Sequence, residues 1–508
     1  MRSASVRYRI KGTRIYVKPP AATARAGYDA ASVAPRLSKW RPSYGGPNSL
    51  LTGSLSTLRA RSRDAVRQDG TADAGLDALV TNIVGAGIVP QFNTPDAEFN
   101  QALADAWLEW TDESDADGRL DFYGQQALIV RSAAEGGDAF ARFRVRRLSD
   151  GLSVPLQIQV LEGEFCPETM NQPAANGNQI RCGIEFNGFG QRAAYWLYRQ
   201  HPLDLLVSGG GDLMPVAVPA SEVLQLSGVR RPGLIRGEPW LTRALIALHE
   251  TDEFSDAQLV RQKIAALFAG FVGSEAPELG DEEAVFAGQA EPDSDGIALA
   301  PLEPGTMQVL KAGQKIDFNE PPDPGNNYEA FMRGEYRAAA AAIGILYEQL
   351  TGDYSQGNDR TWRAAVNEFR RRCAMWQHHL VVYQYCRPVL RRWAELAVLA
   401  GRVTLPAGIT PAAIARAKWA PQAWEYINPV QDVGARQAEV RNGFRSRRDV
   451  VSERGYSVHE VDAEIAADNA TADENGFVFD SDPRRSSQKG VAQSPAEPGV
   501  DQGGAGGG

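Results

Sequence analysis

Histidine and cysteine are scarce in this chain, and each scarcity removes a class of chemistry. Five histidines occur in 508 residues. His378 and His379 are neighbours, so on a helix they point about 100° apart, leaving one to pack and one to face solvent. His249-Glu250 begins like the HExxH zinc motif, but Glu253 stands where the second histidine belongs. No metal site is expected. The four cysteines, Cys166, Cys182, Cys373 and Cys386, form no CxxC pair. Two of them fall in expected helix, where a thiol acts as a small buried hydrophobe. No disulfide framework is implied, and a reducing cytoplasm fits.

Nucleotide and nucleophile motifs are also missing. There is no GxxxxGK[ST] phosphate loop, which argues against an ATPase motor. Gly85-Ala-Gly87 lacks the third glycine of a dinucleotide fingerprint, and no GxSxG elbow occurs. Ser486-x-x-Lys489 lies in a polar tail and reads as chance. Asn469-Ala-Thr471 has the form of a glycosylation sequon, but nothing else suggests secretion. No cofactor is expected. The longest apolar run, Ala338–Leu346, is far too short to span a bilayer, and the basic N-terminus has no apolar stretch of a signal peptide. The expectation is a soluble protein without a membrane partner. Basic excess is lacking too. The net charge is −10 and the isoelectric point about 5.3, whereas a conventional nucleic-acid binder neutralises phosphates with surplus Lys and Arg. Weak or guiding contact with DNA stays compatible with this balance.

What is present is a set of long helices. Trp362, Val366, Phe369, Cys373, Trp376, Leu380 and Tyr383 repeat at spacings of 4 and 3, the period of a packed helical seam. Pro388 removes a backbone donor and clashes with the preceding turn, so a bend is expected there. A further run from Val389 to Leu399 ends before Gly401, a good residue to close a helix. Leu241–Phe271 is another long helix, acidic in its first half at Glu250, Asp252, Glu253 and Asp256. Residues 273–300 hold Glu275, Glu278, Asp281, Glu282, Glu283, Glu291, Asp293 and Asp295 and no Lys or Arg. That stretch reads either as a solvated loop or as a charged docking or pore-rim surface. Helix returns at Tyr328–Ile345, followed by a polar loop, Leu350–Asp359.

The remainder reads as α+β. Helical patterns cover Leu51–Ile83, Ala97–Asp112 and Phe122–Glu135. Short strands are expected at Arg7–Ile10, Arg14–Val17, Arg142–Val145, Leu156–Val160, Ala193–Tyr198, Val223–Leu226, Met307–Leu310 and Lys315–Phe318. A Trp/Pro-rich connector spans Trp419–Pro429, with helices at Val430–Asn442 and Ser457–Ala467. Beyond Asp468 the composition turns to Asp, Ser, Pro, Gln and Gly, expected to be disordered. The clusters Arg142–Arg147 and Arg370–Arg372 read first as solvated faces or salt bridges between subunits, with DNA contact as a lesser alternative.

The order of these elements resembles the portal proteins of tailed phages, in the lambda-type family, from about Tyr28 to Asp468. The motifs that carry it begin with Leu58-Arg-Ala-Arg-Ser-Arg-Asp64, Asn82-Ile-Val-Gly-Ala-Gly-Ile88, Trp107-Leu-Glu-Trp110, Asp121-Phe122 and Glu135-Gly136. They continue with Arg231-Pro-Gly-Leu-Ile-Arg-Gly-Glu-Pro-Trp240, Leu302–Gly305, Gly344–Glu348, Thr351-Gly-Asp353, Trp362–Ala365, Asn428-Pro429 and Asn442-Gly443. Two departures stand out. Ser227-Gly228-Val229 lies where a histidine-bearing strand end is expected, and the loop Tyr354–Thr361 differs from the usual Ser/Asn-rich form.

The resemblance implies an α+β, mainly helical fold and a non-enzymatic subunit of a ring, expected to have twelve copies. Such a ring sits at one capsid vertex, in the virion, after assembly in the host cytoplasm. It passes double-stranded DNA during packaging and ejection. Its implied partners are the large terminase, a head-completion or adaptor protein, the major capsid protein and a scaffolding protein. Carried onto this chain, the parts are an N-terminal arm (1–27), wing (28–240), stem helix (241–272), clip (273–325), second stem helix (326–345), tunnel loop (346–360), kinked wing helix (361–418), crown (419–468) and disordered tail (469–508). Gly352, Asp353, Tyr354, Ser355, Gln356, Asn358 and Arg360 would face DNA, although an ordinary helix connector is the alternative. Glu278, Asp281, Glu282 and Glu283 would line the channel or dock partners. The rival readings are a soluble cytoplasmic multidomain enzyme of unrecognised class, using Glu and Asp side chains, and another structural protein of the capsid.

Overall fold

A computed structural model describes residues 41–204, 214–267, 328–355, 357–424, 428–454 and 458–479. It also describes single positions 39, 456 and 482 and the backbone of four short strands at 7–10, 13–16, 271–274 and 314–317. The first two strands, β1 (Arg7–Ile10) and β2 (Thr13–Tyr16), form a hairpin.

Helices α1 (Pro47–Thr52), α2 (Leu55–Gln68) and α3 (Gly70–Ile83) follow. The run expected as one helix is therefore divided. At Asp69 the backbone turns extended, and its carboxylate accepts from the Thr71 amide, starting a new helix. Gly85 and Gly87, both at positive φ, end α3. After β3 (Val89–Gln91) come α4 (Ala97–Thr111) and α5 (Phe122–Gly136), capped by Asp96 and Asp121.

The centre of this region is a three-stranded antiparallel sheet. It pairs β4 (Asp138–Val145) with β5 (Leu156–Glu162) on one side and β11 (Val223–Ser227) on the other. Because side chains alternate along a strand, β4 serves two cores. Ala139, Ala141 and Phe143 face the large helical core with α4 and α5. Phe140 faces a smaller core with Ile184, Tyr195 and Val218. That smaller core is closed by an antiparallel sheet of β6 (Gln172–Pro173), β7 (Gln179–Arg181), β8 (Ile184–Phe186), β9 (Arg192–Leu197) and β10 (Val216–Pro219). The central sheet thus separates the helices from this outer sheet.

A short 3₁₀ turn, Trp240–Arg243, leads into α6 (Leu245–Leu267). Strands β12 (Phe271–Ser274) and β13 (Gln314–Asp317) pair antiparallel, so Ser274 lies opposite Gln314. β13 overlaps the expected Lys315–Phe318; Met307–Leu310 lies outside the described residues. Helix α7 (Tyr328–Ile343) returns along α6, and α8 (Tyr347–Thr351) follows.

The kinked helix is α9 (Asp359–Trp376), then ten π-helical residues (Gln377–Cys386), then α10 (Arg387–Leu399). Pro388 sits at the start of α10. The bend expected there takes the form of a widened helix: the Arg387 amide donates to the Val382 carbonyl, five residues back. A wider turn gives the proline ring room against the preceding carbonyls. Gly401, at φ 73°, closes α10 as expected. Last come α11 (Pro411–Ile414), β14 (Lys418–Ala420, paired with β3), α12 (Pro429–Arg441), α13 (Arg447–Glu453) and α14 (Val458–Asn475). The tail expected from Asp468 is corrected here: α14 continues to Asn475, with Ala472 buried. Alanines at 466, 467, 470 and 472 favour helix more than the polar composition suggested.

Candidate functional site

Helices α6 and α7 stand out by what they leave uncovered. α6 meets α7 through Phe254, stacked on Tyr328 at 5.9 Å and edge-on to Phe331 at 5.4 Å. On the remaining faces Ile246 (73% exposed), Leu259, Val260 and Phe331 lie open to solvent. The base of the pair is firmer. Trp240 stacks on Trp376 at 5.2 Å, and Ala339, Ala340 and Ile343 of α7 are buried.

Gly344, at φ 99°, turns the chain out of α7. The segment expected as a fifteen-residue loop at 346–360 begins instead as α8, whose Leu350 is buried against α3. Gly75 makes this possible: its missing β-carbon leaves space filled by Leu350, Ile343 and Ile345. The exposed loop is thereby reduced to Gly352–Asn358, and Arg360 belongs to the first turn of α9.

Both ends of that loop are pinned. Gly352 caps α8 at φ 70°. The Asp353 carboxylate accepts from the Ser355 amide and the Tyr347 hydroxyl, both at 3.0 Å, and Arg333 lies 3.9 Å away. The bonds from Ser355, then from Tyr347, hold its carboxyl below the usual range. At the far end Asn358 caps α9 by accepting from the Arg360 amide at 3.0 Å. Between them Tyr354, 59% exposed, rests edge-on to Trp362 at 5.4 Å. Ser355 and Arg360 are exposed. Gln356 and the four acids Glu278, Asp281, Glu282 and Glu283 lie outside the described residues.

A buried ionic network ties α2 and β4 to the segment before Trp240, and sequence reasoning did not single it out. Asp138 is fully buried between two arginines. Arg59 of α2 donates to Asp138 at 2.7 Å, to the Gly136 carbonyl at 2.7 Å and to Glu168 at 3.2 Å. Arg236 donates to Asp138 at 2.5 Å and 3.1 Å and to the carbonyls of Gly163 and Cys166 at 2.7 and 2.9 Å. Gln225 adds a bond at 3.1 Å. Burial pushes the Asp138 carboxyl up, but Arg236 and Arg59 outweigh it and hold the group below its ordinary value. The signal was available: Arg59, Gly136 and Arg236 all lie in the motifs that carried the resemblance. Their job is to fix α2, β4 and the segment before Trp240 to one another.

The other sequence candidates have ordinary surroundings. Arg144 donates to Gln159 and Arg146 to Gln157. Arg370 lies over the Trp424 ring, and Arg371 pairs with Glu368. His378 and His379 touch edge to face at 5.0 Å. Among the described residues one group has metal-ligand composition: Glu162, Glu164 and His201, with ligand atoms within 4.8 Å of one another. The Arg63 guanidinium already donates to Glu164 at 2.6 and 2.9 Å and lies 3.2 Å from Glu162. It supplies the positive charge a cation would bring, so the group reads as an ion-pair cluster.

Comparison with known proteins decides among the readings of this architecture. The family model for phage portal proteins of the lambda family matches residues 34–377. The chain belongs to that family. A probable portal protein of Halomonas phage phiHAP-1 is 24% identical over 430 residues, covering 81% of this chain and 80% of the relative. Portal protein B of Escherichia phage lambda is 21% identical over 419 residues, covering 73% and 74%. A solved chain from the neck of an empty gene transfer agent particle is 14% identical, with 82% of this chain and 96% of that one covered and a TM-score of 0.45. At that score the structural likeness adds nothing to what the family match decides. This portal protein is a structural subunit of the portal vertex of a tailed-phage virion.

Proposed function

We propose that this portal protein assembles head to tail into a closed ring of twelve copies whose central channel carries double-stranded DNA into and out of the capsid. The observation that carries the assembly reading is the stem. Ile246, Leu259, Val260 and Phe331 are exposed on α6 and α7, and an apolar face left open on one chain is covered when copies pack side by side. In this reading the ring has no catalytic activity of its own. A separate terminase motor drives the DNA, and head-completion, capsid and scaffolding proteins meet the ring's outer parts during assembly in the host cytoplasm.

The same reading gives the polar loop 352–358 its role. It is short, water-compatible and held at both ends by packed helices, so it projects Tyr354 and Ser355 from a rigid base, with Arg360 exposed in the adjoining first turn of α9; Gln356 belongs to the same stretch of sequence and shares the proposed DNA contact. Gly352 and Asp353 set the loop's departure, and Asn358 sets its return. The acidic segment with Glu278, Asp281, Glu282 and Glu283 keeps the channel from gripping phosphates, or serves as the docking surface for the motor. A chain of net charge −10 suits a conduit, since a wall that neutralised many phosphates would hold DNA tightly.

Native mass spectrometry of the purified protein tests the assembly. A species with the mass of twelve 55.1 kDa subunits is expected. A monomer persisting at micromolar concentration contradicts it.

A further inference from the structure

The arginines of β4 bond to neutral amides and to no acid. Arg142, Arg144 and Arg146 alternate along the strand, so they share the face that bears Phe140 and repeat roughly every 6–7 Å. Arg142 and Arg144 are half-buried and Arg146 is exposed. On β5, Gln159 stands opposite Arg142 and Gln157 opposite Arg144. The Gln159 side-chain oxygen accepts from Arg144 at 2.9 and 2.5 Å, and that of Gln157 accepts from Arg146 at 2.8 Å. The Nε of Arg142 is buried with no hydrogen-bond partner. Among the described residues no ion pair involves any of the three, whereas Arg59, Arg63, Arg131 and Arg236 each meet carboxylates. Burial, then the charges of Arg142 and Arg146, hold the Arg144 pKa below its ordinary value, against a smaller pull from Glu222.

The carboxylates bonded around this end of the sheet are engaged with other groups. Glu113 accepts from Ser153. Asp115 accepts from the amides of Arg119 and Leu120 and from Gln125. Asp150 accepts from the Arg147 amide. A row of crowded guanidiniums costs repulsion, and each fork is shaped for phosphate oxygens. The arginine end of this face carries no apolar side chain. Val145 belongs to the opposite face by alternation, and the exposed Leu148 follows in the next turn. Protein partners typically bury an apolar centre, whereas a polar, positively charged strip is the character of a nucleic-acid interface.

We propose that Arg142, Arg144 and Arg146 form a contact for the phosphate backbone of double-stranded DNA, separate from the loop 352–358. This rests on the DNA-conduit reading above and names a second place on the chain where DNA is held. The net charge of −10 confines that grip to the strip.

Duplex binding by the purified protein, followed by fluorescence anisotropy across a range of salt concentrations, tests it. A chain with Arg142→Gln, Arg144→Gln and Arg146→Gln is expected to lower the slope of log affinity against log salt by about 2.7, at about 0.9 for each phosphate contact. Arg146→Gln alone, at an exposed position, is expected to lower it by about 0.9, so the answer does not depend on the folding of the triple variant. A control chain with Arg67→Gln, Arg371→Gln and Arg402→Gln has the same net charge but loses arginines already paired with Asp64, Glu368 and Glu109. Its slope is expected to stay near that of the wild type. Equal slopes in the wild type and the β4 variants, an equal fall in the control, or a wild type that binds no duplex at low salt overturns the contact. Loss of rings in the β4 variants with the slope unchanged overturns it in favour of an acidic patch on the next copy. The slope is read whether or not the protein forms rings, so the ring reading stands or falls separately on its mass.

Discussion

Gly237 crosses Gly137 so closely that a β-carbon on either residue would overlap the carbonyl oxygen of the other. The crossing stands beside the two partners of the buried ion pair, Asp138 and Arg236, and it lets them reach each other at 2.5 Å. Backbone is hard to displace, so Gly237→Ala is expected to destabilise the fold by about 1–3 kcal/mol. Urea unfolding followed by tryptophan fluorescence checks this. An unchanged midpoint would show that the crossing tolerates a methyl group.

Asp138→Asn leaves Arg59 and Arg236 buried with less compensation. A loss of about 3–5 kcal/mol is expected, as for a buried pair broken on one side. The pH dependence follows from the depressed folded-state value of Asp138. Its stabilising contribution is full above the unfolded value of about 3.9 and is lost as the pH falls through the lower folded value. Thermal melts between pH 7 and pH 2 should show the wild type losing stability in acid more steeply than the variant. Parallel curves would remove Asp138 from the account.

The four cysteines should be inert in the native protein. Burial pushes the Cys166 and Cys373 thiols up to about 12, and Cys386 upward as well, so those three hold almost no thiolate at pH 8, and Cys182 is shielded from reagent by its burial. A thiol reagent is expected to label the folded chain slowly and all four sites after denaturation. Rapid labelling of the native protein would contradict this burial.

The loop is expected to act on DNA and not on folding. Tyr354→Ala combined with Arg360→Ala removes an exposed ring and an exposed cation, and neither is buried. Stability should change by less than about 0.5 kcal/mol each. Rings should form normally, while packaging or retention of DNA falls. A normal yield of full, infectious heads would reduce the loop to a connector. Asn358 is best left in place, because it caps α9.

The legible parts of this fold were those with strong local signals. The seam from Trp362 to Leu380, the capped helices at Ala97 and Phe122 and the closing glycine at 401 could be read from period and chemistry, but Tyr383, the last expected seam position, is 64% exposed because the π segment turns Val381, Val382, Tyr385 and Cys386 inward instead. The ten-residue π segment could not be read, because the same residues satisfy a helical period whether each amide reaches four or five residues back. α8 was read as loop because its helix depends on a long-range fit, Leu350 into the space at Gly75. The Asp138 network escaped for the same reason: Arg59, Asp138 and Arg236 are far apart in sequence, and the motifs holding Arg59 and Arg236 were read for order without a physical role. Of the site, the polar loop was legible through its glycines and aspartates. Its clamp by Tyr347 and Asn358 was visible only in three dimensions.

Imaging of the purified, unmodified protein by electron microscopy tests the central claim most directly. The account predicts class averages of a closed ring with a central hole, built from copies of this chain alone. Monomers, or open filaments without a channel, would contradict it.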